Sequence, residues 1–231
     1  MSMPLFHYRP GTGSQSLDHL KNLALFAIRV AIGIAVAGIF GQNALAEQLA
    51  CAHLPYIQKG FLNNHVVNKT YNATIEGHVI EQFIQKLDPS KIYLLKADVD
   101  QIKEMLKDIY VNTQKEKCQG LLDAQNLYAK RVQEKAKFAE KLLEKDYKLD
   151  KTAELILDSK KREFSVDQAE ADNFHQKYVH FQVANFVASG MKLPEAKAQL
   201  IRRYNRNVKN LTKVTPADVY GSYLDAFASA L

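Results

Sequence analysis

The side chains that could bind a metal or act as bases are spread thinly along the chain. Zinc proteases place two histidines four residues apart on one helix, with a glutamate between them as the general base. No two histidines here have that spacing, and His175 and His180 would lie about 140° apart around a helix. We therefore predict no metal site and no cofactor. We expect solvent-facing or hydrogen-bonded side chains for His53, His65, His78, His175 and His180.

Signals for nucleophilic catalysis and for phosphate binding are also missing from the sequence. A serine on a nucleophile elbow needs the pattern G-x-S-x-G, which does not occur. Gly11 and Gly13 do not belong to a phosphate loop, because no Lys-Ser or Lys-Thr pair closes it. We predict that the sequence includes no catalytic residue and that the protein has no enzymatic activity alone.

A cluster of basic side chains raises the question of nucleic-acid binding. Arg202, Arg206 and Lys209 fall on one side of a predicted helix that also carries Tyr204. However, the protein has 31 Lys and Arg residues against 25 Asp and Glu residues, so its net charge of +6 is a mild excess. A solvated or carboxylate-paired helix face explains the cluster, and we predict no nucleic-acid partner.

The elements that must position these side chains are helices, since apolar residues recur at helical spacing from Leu54 onward. The pattern predicts an all-α fold, an irregular multi-helix bundle of about seven helices. Asp88-Pro89 interrupts it, with Ser90 as the expected cap of a short turn and Asp98 as the expected cap of the next helix. Thr215-Pro216 is a start signal for the last helix.

The beginning of the sequence is typical of a secretory signal. Basic residues hold the N-terminus in the cytoplasm, a short apolar helix enters the translocon, and small side chains fit signal peptidase. We predict a signal peptide at 1–46, cleaved after Ala46, followed by one helical domain at 47–231. The basic residues, the uncharged run and the small residues are Arg9, Lys21 and Arg29, then Val30–Phe40, then Ala44-Leu45-Ala46.

A membrane anchor from Leu23 to Phe40 is the alternative to cleavage. A run of about 18 residues is long enough to span a bilayer, but Arg29 near its middle costs roughly 2.5–3.5 kcal/mol on insertion. Under this alternative the protein contacts the membrane only through its uncleaved signal.

Cys51 and Cys118 are the two cysteines of the protein. Exported proteins meet an oxidising compartment in which thiols tend to pair, so we predict a Cys51–Cys118 disulfide. Closing a loop of about 68 residues would stabilise the fold by roughly 4 kcal/mol in the loop-entropy model. Two alternatives stay open: two unpaired buried thiols, or a lipid on Cys51 behind the poor lipobox Gln48-Leu49-Ala50.

One apolar stripe follows the last predicted helix up to the end of the sequence. An apolar helix face needs a surface to pack against, and no Gly, Asn or Pro stop signal closes this stripe. We therefore expect the protein to be the front piece of a larger one. The stripe consists of Val219, Tyr220, Tyr223, Leu224, Phe227, Ala228 and Leu231.

Three strings along the sequence resemble one protein family. Leu87–Val99 resembles a stretch near the N-terminus of tail-specific proteases, the carboxy-terminal processing peptidases of bacterial periplasms. Leu200–Tyr204 is similar to that family's L-x-x-R-Y helix, and Tyr223–Ala228 is similar to the helix that runs into its Asp-Pro-His motif. The order and spacing of the three strings agree with the family, and the similarity spans residues 54–231.

The resemblance implies a helical N-terminal domain that precedes a substrate-binding PDZ domain and a protease domain with a Ser/Lys dyad. Neither of these is in the sequence, so protein substrates would be reached only through the missing part. The helical domain would support the protease body and dock an adaptor lipoprotein in the periplasm. The candidates for contact with the missing part are Tyr223, Leu224, Phe227 and Leu231, and packing inside the domain is the alternative for the same residues.

A free-standing module is the second functional hypothesis. It would be an exported helical binding protein that competes for the protease or its adaptor. The DNA downstream of residue 231 distinguishes the two, since Asp-Pro-His followed by PDZ and Ser/Lys signatures supports the first hypothesis only.

Overall fold

The computed structural model describes residues 48–144, 146–150, 152 and 154–231. These residues form eight α-helices and two short 3-10 helices, at Cys51–His53 and Ser159–Lys161. They contain no strand, only an isolated parallel bridge between Leu95 and Ser165. The all-α prediction is confirmed. The helices are α1 (Leu54–Asn64), α2 (Ala73–Leu87), α3 (Lys96–Met105), α4 (Ile109–Gln114), α5 (Gln119–Leu142), α6 (Gln168–Ala188), α7 (Leu193–Leu211) and α8 (Pro216–Ala230).

Residues Gln48–Leu231 are one unit that contains two apolar clusters. The larger cluster is built by α1 to α4, the first half of α5 and α8. The smaller cluster lies between the second half of α5, α6 and α7. Because α5 is 24 residues long and contributes side chains to both clusters, it is the element that holds them together.

Local signals set several of the helix ends. Thr215 Oγ1 accepts the Asp218 N–H at 3.3 Å, and Asp218 Oδ2 accepts the Thr215 N–H at 2.8 Å, which is a capping box. Pro216 is the first residue of α8, as predicted. Asp98 differs from the prediction, because Leu95 occupies the cap position of α3 and Asp98 is the third helical residue. Its carboxylate reaches back to the Leu95 N–H at 2.8 Å.

The predicted signal peptide at 1–46 and the alternative anchor at Leu23–Phe40 lie outside the described residues. Within the part of the protein that the structure describes, no helix has both the length and the apolar character needed to cross a bilayer.

Candidate functional site

The first half of the string Leu87–Val99 folds around the buried carboxylate of Asp88. Asp88 follows α2 directly and is 1% exposed. Its Oδ1 accepts the Ile92 N–H at 3.1 Å, and its Oδ2 accepts the N–H groups of Tyr93 and Leu94 at 2.8 and 2.9 Å. Burial raises the pKa of Asp88, and the three N–H donors oppose that rise. This carboxylate, rather than the expected Ser90 cap, satisfies the backbone of the turn, because it lies close enough to reach all three donors.

We expect Asp88→Asn to lower the free energy of unfolding by about 2–3 kcal/mol, because the amide nitrogen would face a buried backbone N–H. Urea denaturation followed by circular dichroism measures the change. Asp100→Asn is the matched control, since Asp100 lies exposed on α3. The control should change stability by less than about 0.5 kcal/mol. Equal denaturation midpoints for the two variants would contradict the role given to Asp88.

The segment before α6 is tied to the same turn. Lys91 Nζ donates to the Arg162 carbonyl at 2.6 Å, and the Arg162 guanidinium donates back to the carbonyls of Lys91, at 3.2 Å, and Ser90. The Lys96 N–H donates to the Ser165 carbonyl at 2.9 Å. These bonds hold the connection between α5 and α6 against the end of α2, although the partners lie far apart in sequence.

A bidentate ion pair fixes α3 to α5. Arg131 Nε and one of its terminal nitrogens donate to the two oxygens of Asp98, both at 2.8 Å, and its other terminal nitrogen donates to Glu134 at 2.8 Å. The hydrogen bonds to Asp98 are the largest cause that raises the pKa of Arg131. Arg131 is one of several charged residues that are interleaved with apolar ones along α5, and the sequence does not distinguish it from the others. The structure shows that its side chain reaches α3.

The string Leu200–Tyr204 closes over a buried polar cluster of α6. Tyr204 is 5% exposed, and its hydroxyl donates to Gln182 Oε1 at 3.0 Å and lies 3.2 Å from His175 Nε2. Burial, and then the charge of Lys135, lower the pKa of His175 to about 3, so this imidazole is neutral at physiological pH. Lys135 is itself buried and pairs with Asp172 at 2.7 Å.

The two histidines of α6 are hydrogen-bonded rather than solvent-facing. His180 Nδ1 lies 2.9 Å from the Tyr147 hydroxyl and accepts the Asp150 N–H at 3.2 Å. Burial lowers the pKa of His180 as well. In the described ranges no three His, Cys, Asp or Glu side chains converge in a way that could hold a metal ion. The polar clusters of α6 connect it to α5, to α7 and to the segment that follows α5.

Tyr93 and Arg203, from the first two strings, line the same small recess. The recess has a volume of about 40 Å³ and lies beside α6. The sequence does not predict this meeting, because the two residues belong to different elements and no local pattern connects them. The lining residues are Tyr93, Tyr178, Gln182, Arg203, Tyr204 and Asn207.

The third string lies in the domain core. The exposed fractions of Tyr223, Leu224 and Phe227 are 1%, 8% and 0%. These three contact candidates lie inside the domain, which is the packing alternative given for them. The Tyr223 hydroxyl accepts a hydrogen bond from Gln58 Nε2 at 2.6 Å. Leu231 is half-buried and lines a surface groove beside α1, so it alone of the four keeps a partly open surface.

The two cysteines lie next to each other in space. Cys51 is in the 3-10 helix before α1, and Cys118 is the cap residue of α5. The structure joins them in a disulfide with the Cα atoms 6.0 Å apart. The bond would tie the start of the helical unit to its longest helix.

The chain is similar to known proteins over most of its length. A protein-family model described as the tail-specific protease N-terminal domain matches residues 57–231. The Tail-specific protease of Haemophilus influenzae is 24% identical over 196 residues. The alignment covers 84% of this chain and 27% of the relative, so the chain spans little more than a quarter of that protein's length.

Proposed function

The chain belongs to the family of tail-specific protease N-terminal domains, and from this membership we propose that it is the helical scaffold and adaptor-docking domain of a periplasmic C-terminal-processing serine protease. The observation that carries the proposal is the family match over residues 57–231, which includes almost all of the described helical unit. The match also confirms the family resemblance of the three strings.

Catalysis is proposed to belong to the part of the protease that this chain does not match, since the chain aligns with 27% of its relative. Two observations support this division. The hydroxyls of Ser189 and Ser229 donate to backbone carbonyls at 2.8 and 2.7 Å. Lys135, the buried lysine of the described residues, forms an ion pair with Asp172. A Ser/Lys dyad needs a lysine free to take the serine proton, and Lys135 is held by Asp172 instead.

We propose that α2, α3 and α5 support the protease body, because hydrogen bonds hold these helices in fixed relative positions. The Asp98–Arg131 pair and the Asp88 turn fix the relative positions of α2, α3 and α5 through buried or half-buried hydrogen bonds. Such contacts give a docking surface a defined shape at little conformational cost. The predicted signal at 1–46 and the Cys51–Cys118 pair support a periplasmic setting, because disulfides persist there.

Intact mass spectrometry tests the absence of catalysis. The purified protein is incubated with a substrate that carries an apolar C-terminal tag, and the Haemophilus influenzae protease serves as the positive control. We expect the relative to shorten the tagged substrate and this chain to leave its mass unchanged. Trimming that increases in proportion to the amount of added protein would contradict the proposal.

Two further measurements test the scaffold role and its location. Sequencing the DNA downstream of the codon for residue 231 should show Asp-Pro-His followed by PDZ and Ser/Lys signatures. A stop codon followed by unrelated genes would contradict the scaffold role. After cell fractionation, the protein should occur in the periplasm with Glu47 as its N-terminal residue. Recovery in the cytoplasm with residues 1–46 intact would contradict the periplasmic setting.

A further inference from the structure

The recess between the first two strings has an inner wall of hydroxyl and amide groups. Gln182 and Tyr204 form its floor at 9% and 5% exposure. Their hydrogen bond of 3.0 Å, together with the contact between Tyr204 and His175, holds the floor in one arrangement. A fixed polar floor in a concave position is a feature of small-ligand sites.

The mouth of the recess carries a positive charge that has no counter-ion among the described residues. Arg203 is exposed and forms no ion pair with any carboxylate of that part of the protein. Arg131 pairs with Asp98 and Arg202 donates to Gln199 at 2.8 Å, whereas Arg206 is exposed and, like Arg203, has no described partner. The donors of Arg203 are therefore free for a ligand.

Tyrosine side chains line the recess together with this guanidinium. The positive charge of Arg203 opposes the rise that burial causes in the pKa of Tyr93 and Tyr204. Burial raises the pKa of Tyr93 to about 12, against a hydrogen bond with the Asn207 side chain that lowers it, so the hydroxyl keeps its proton at physiological pH. Tyr178 lines the same wall. Several donors and one cation, gathered around a small space, fit a ligand that offers acceptors and a negative charge.

The volume limits what that ligand can be. A space of about 40 Å³ is a few times the roughly 10–15 Å³ that one water molecule needs, and so admits one small group. A carboxylate meets both conditions, since it has two acceptor oxygens and a planar shape that arginine binds bidentately.

We propose that the recess of Tyr93, Tyr178 and Arg203 binds a single carboxylate group presented by a polypeptide, either that of an acidic residue or that of a C-terminal end. Arg203 would bind the two oxygens, and the tyrosine hydroxyls would donate to the same oxygens from the inner wall. Carboxylate binding at this recess is independent of the protease role proposed above.

Nuclear magnetic resonance of the full-length protein tests the site with acetate as the probe. Acetate should shift the Arg203 Nε resonance and the Tyr93 and Tyr178 ring resonances saturably, whereas neutral acetamide should not. Arg203→Gln should weaken acetate binding about tenfold or more, because a charged hydrogen-bond partner is lost. Arg202→Gln on the same helix is the matched control and should bind acetate as the parent does.

Three results would overturn the proposal. Equal shifts with acetate and acetamide would mean that the recess holds water or any small polar molecule. An equal loss of binding in Arg202→Gln and Arg203→Gln would indicate attraction to the general charge of the helix. An unchanged affinity in Tyr178→Phe, which keeps the ring and removes one hydroxyl donor, would exclude the inner wall from binding.

Matched peptides identify the source of the carboxylate. One peptide has an internal glutamate and an amidated end, and the other has glutamine at that position and a free C-terminus. Competition with acetate by the first peptide supports an acidic side chain, and competition by the second supports a C-terminal end. No competition by either peptide would overturn the proposal that a polypeptide presents the group.

Discussion

Replacement of Phe227 by alanine is expected to lower the free energy of unfolding by about 3–5 kcal/mol. Phe227 is fully buried in α8, so truncation removes its apolar surface and leaves a cavity. The cavity would open inside a group of aromatic rings, which adds the loss of ring contacts. The neighbours, with their ring-centroid distances, are Phe61 at 6.2 Å, Tyr71 at 5.7 Å, Tyr110 at 6.3 Å and Tyr223 at 6.3 Å.

Two control variants separate this effect from a general sensitivity of the fold. Phe227→Leu keeps most of the buried volume and should cost less than about 1.5 kcal/mol. Tyr56→Ala removes an aromatic ring that is 78% exposed, and should change stability by less than about 0.5 kcal/mol. Urea denaturation measures all three variants, and a loss below about 1 kcal/mol for Phe227→Ala would contradict the core position of α8.

The double substitution Cys51→Ser with Cys118→Ser is expected to cost roughly 4 kcal/mol, because the unfolded polypeptide regains the freedom of a long loop. The two residues are 67 positions apart, and the bond closes that loop. Cys118 is 4% exposed, so its thiol would stay shielded from solvent in the reduced native protein. The cost should therefore come mainly from the unfolded state rather than from lost contacts.

Reduction supplies the matched control for this pair. The parent protein should lose the same stability in reductant, and the double variant should not respond to reductant at all. Intact mass before and after reduction should differ by two hydrogens in the parent. Two thiols that react with an alkylating agent in the unfolded, unreduced parent would show that the bond is absent.

The three strings that resemble the protease family have structural roles in this domain. Asp88 organises a turn, Asp98 connects α3 to Arg131, and Phe227 fills the larger core. These structural roles account for the buried residues of the first and third strings. Arg203 differs from them, since it is exposed and no described contact accounts for it.

Much of the secondary structure could be predicted because its signals are local. The capping box of Thr215 and Asp218 needs four consecutive residues, and the period of apolar residues in α5 is visible along one helix. Cap assignment failed at Asp98, because a carboxylate is favoured both at the cap position and at the third helical position, and the sequence alone does not separate the two.

Sequence by itself determined the helical class, the start of α8 and the family, since these depend on spacing between residues. Tertiary structure alone decided which partner each apolar stripe and polar side chain meets. The stripe of α8 fits either a core or an interface, and burial of Phe227 selects the core. Tyr93 and Arg203 meet in one recess only because α7 packs on α6 beside the Asp88 turn. The physical reason is that periodicity and capping act over a few residues, whereas burial and hydrogen bonding between distant elements depend on how the whole polypeptide packs.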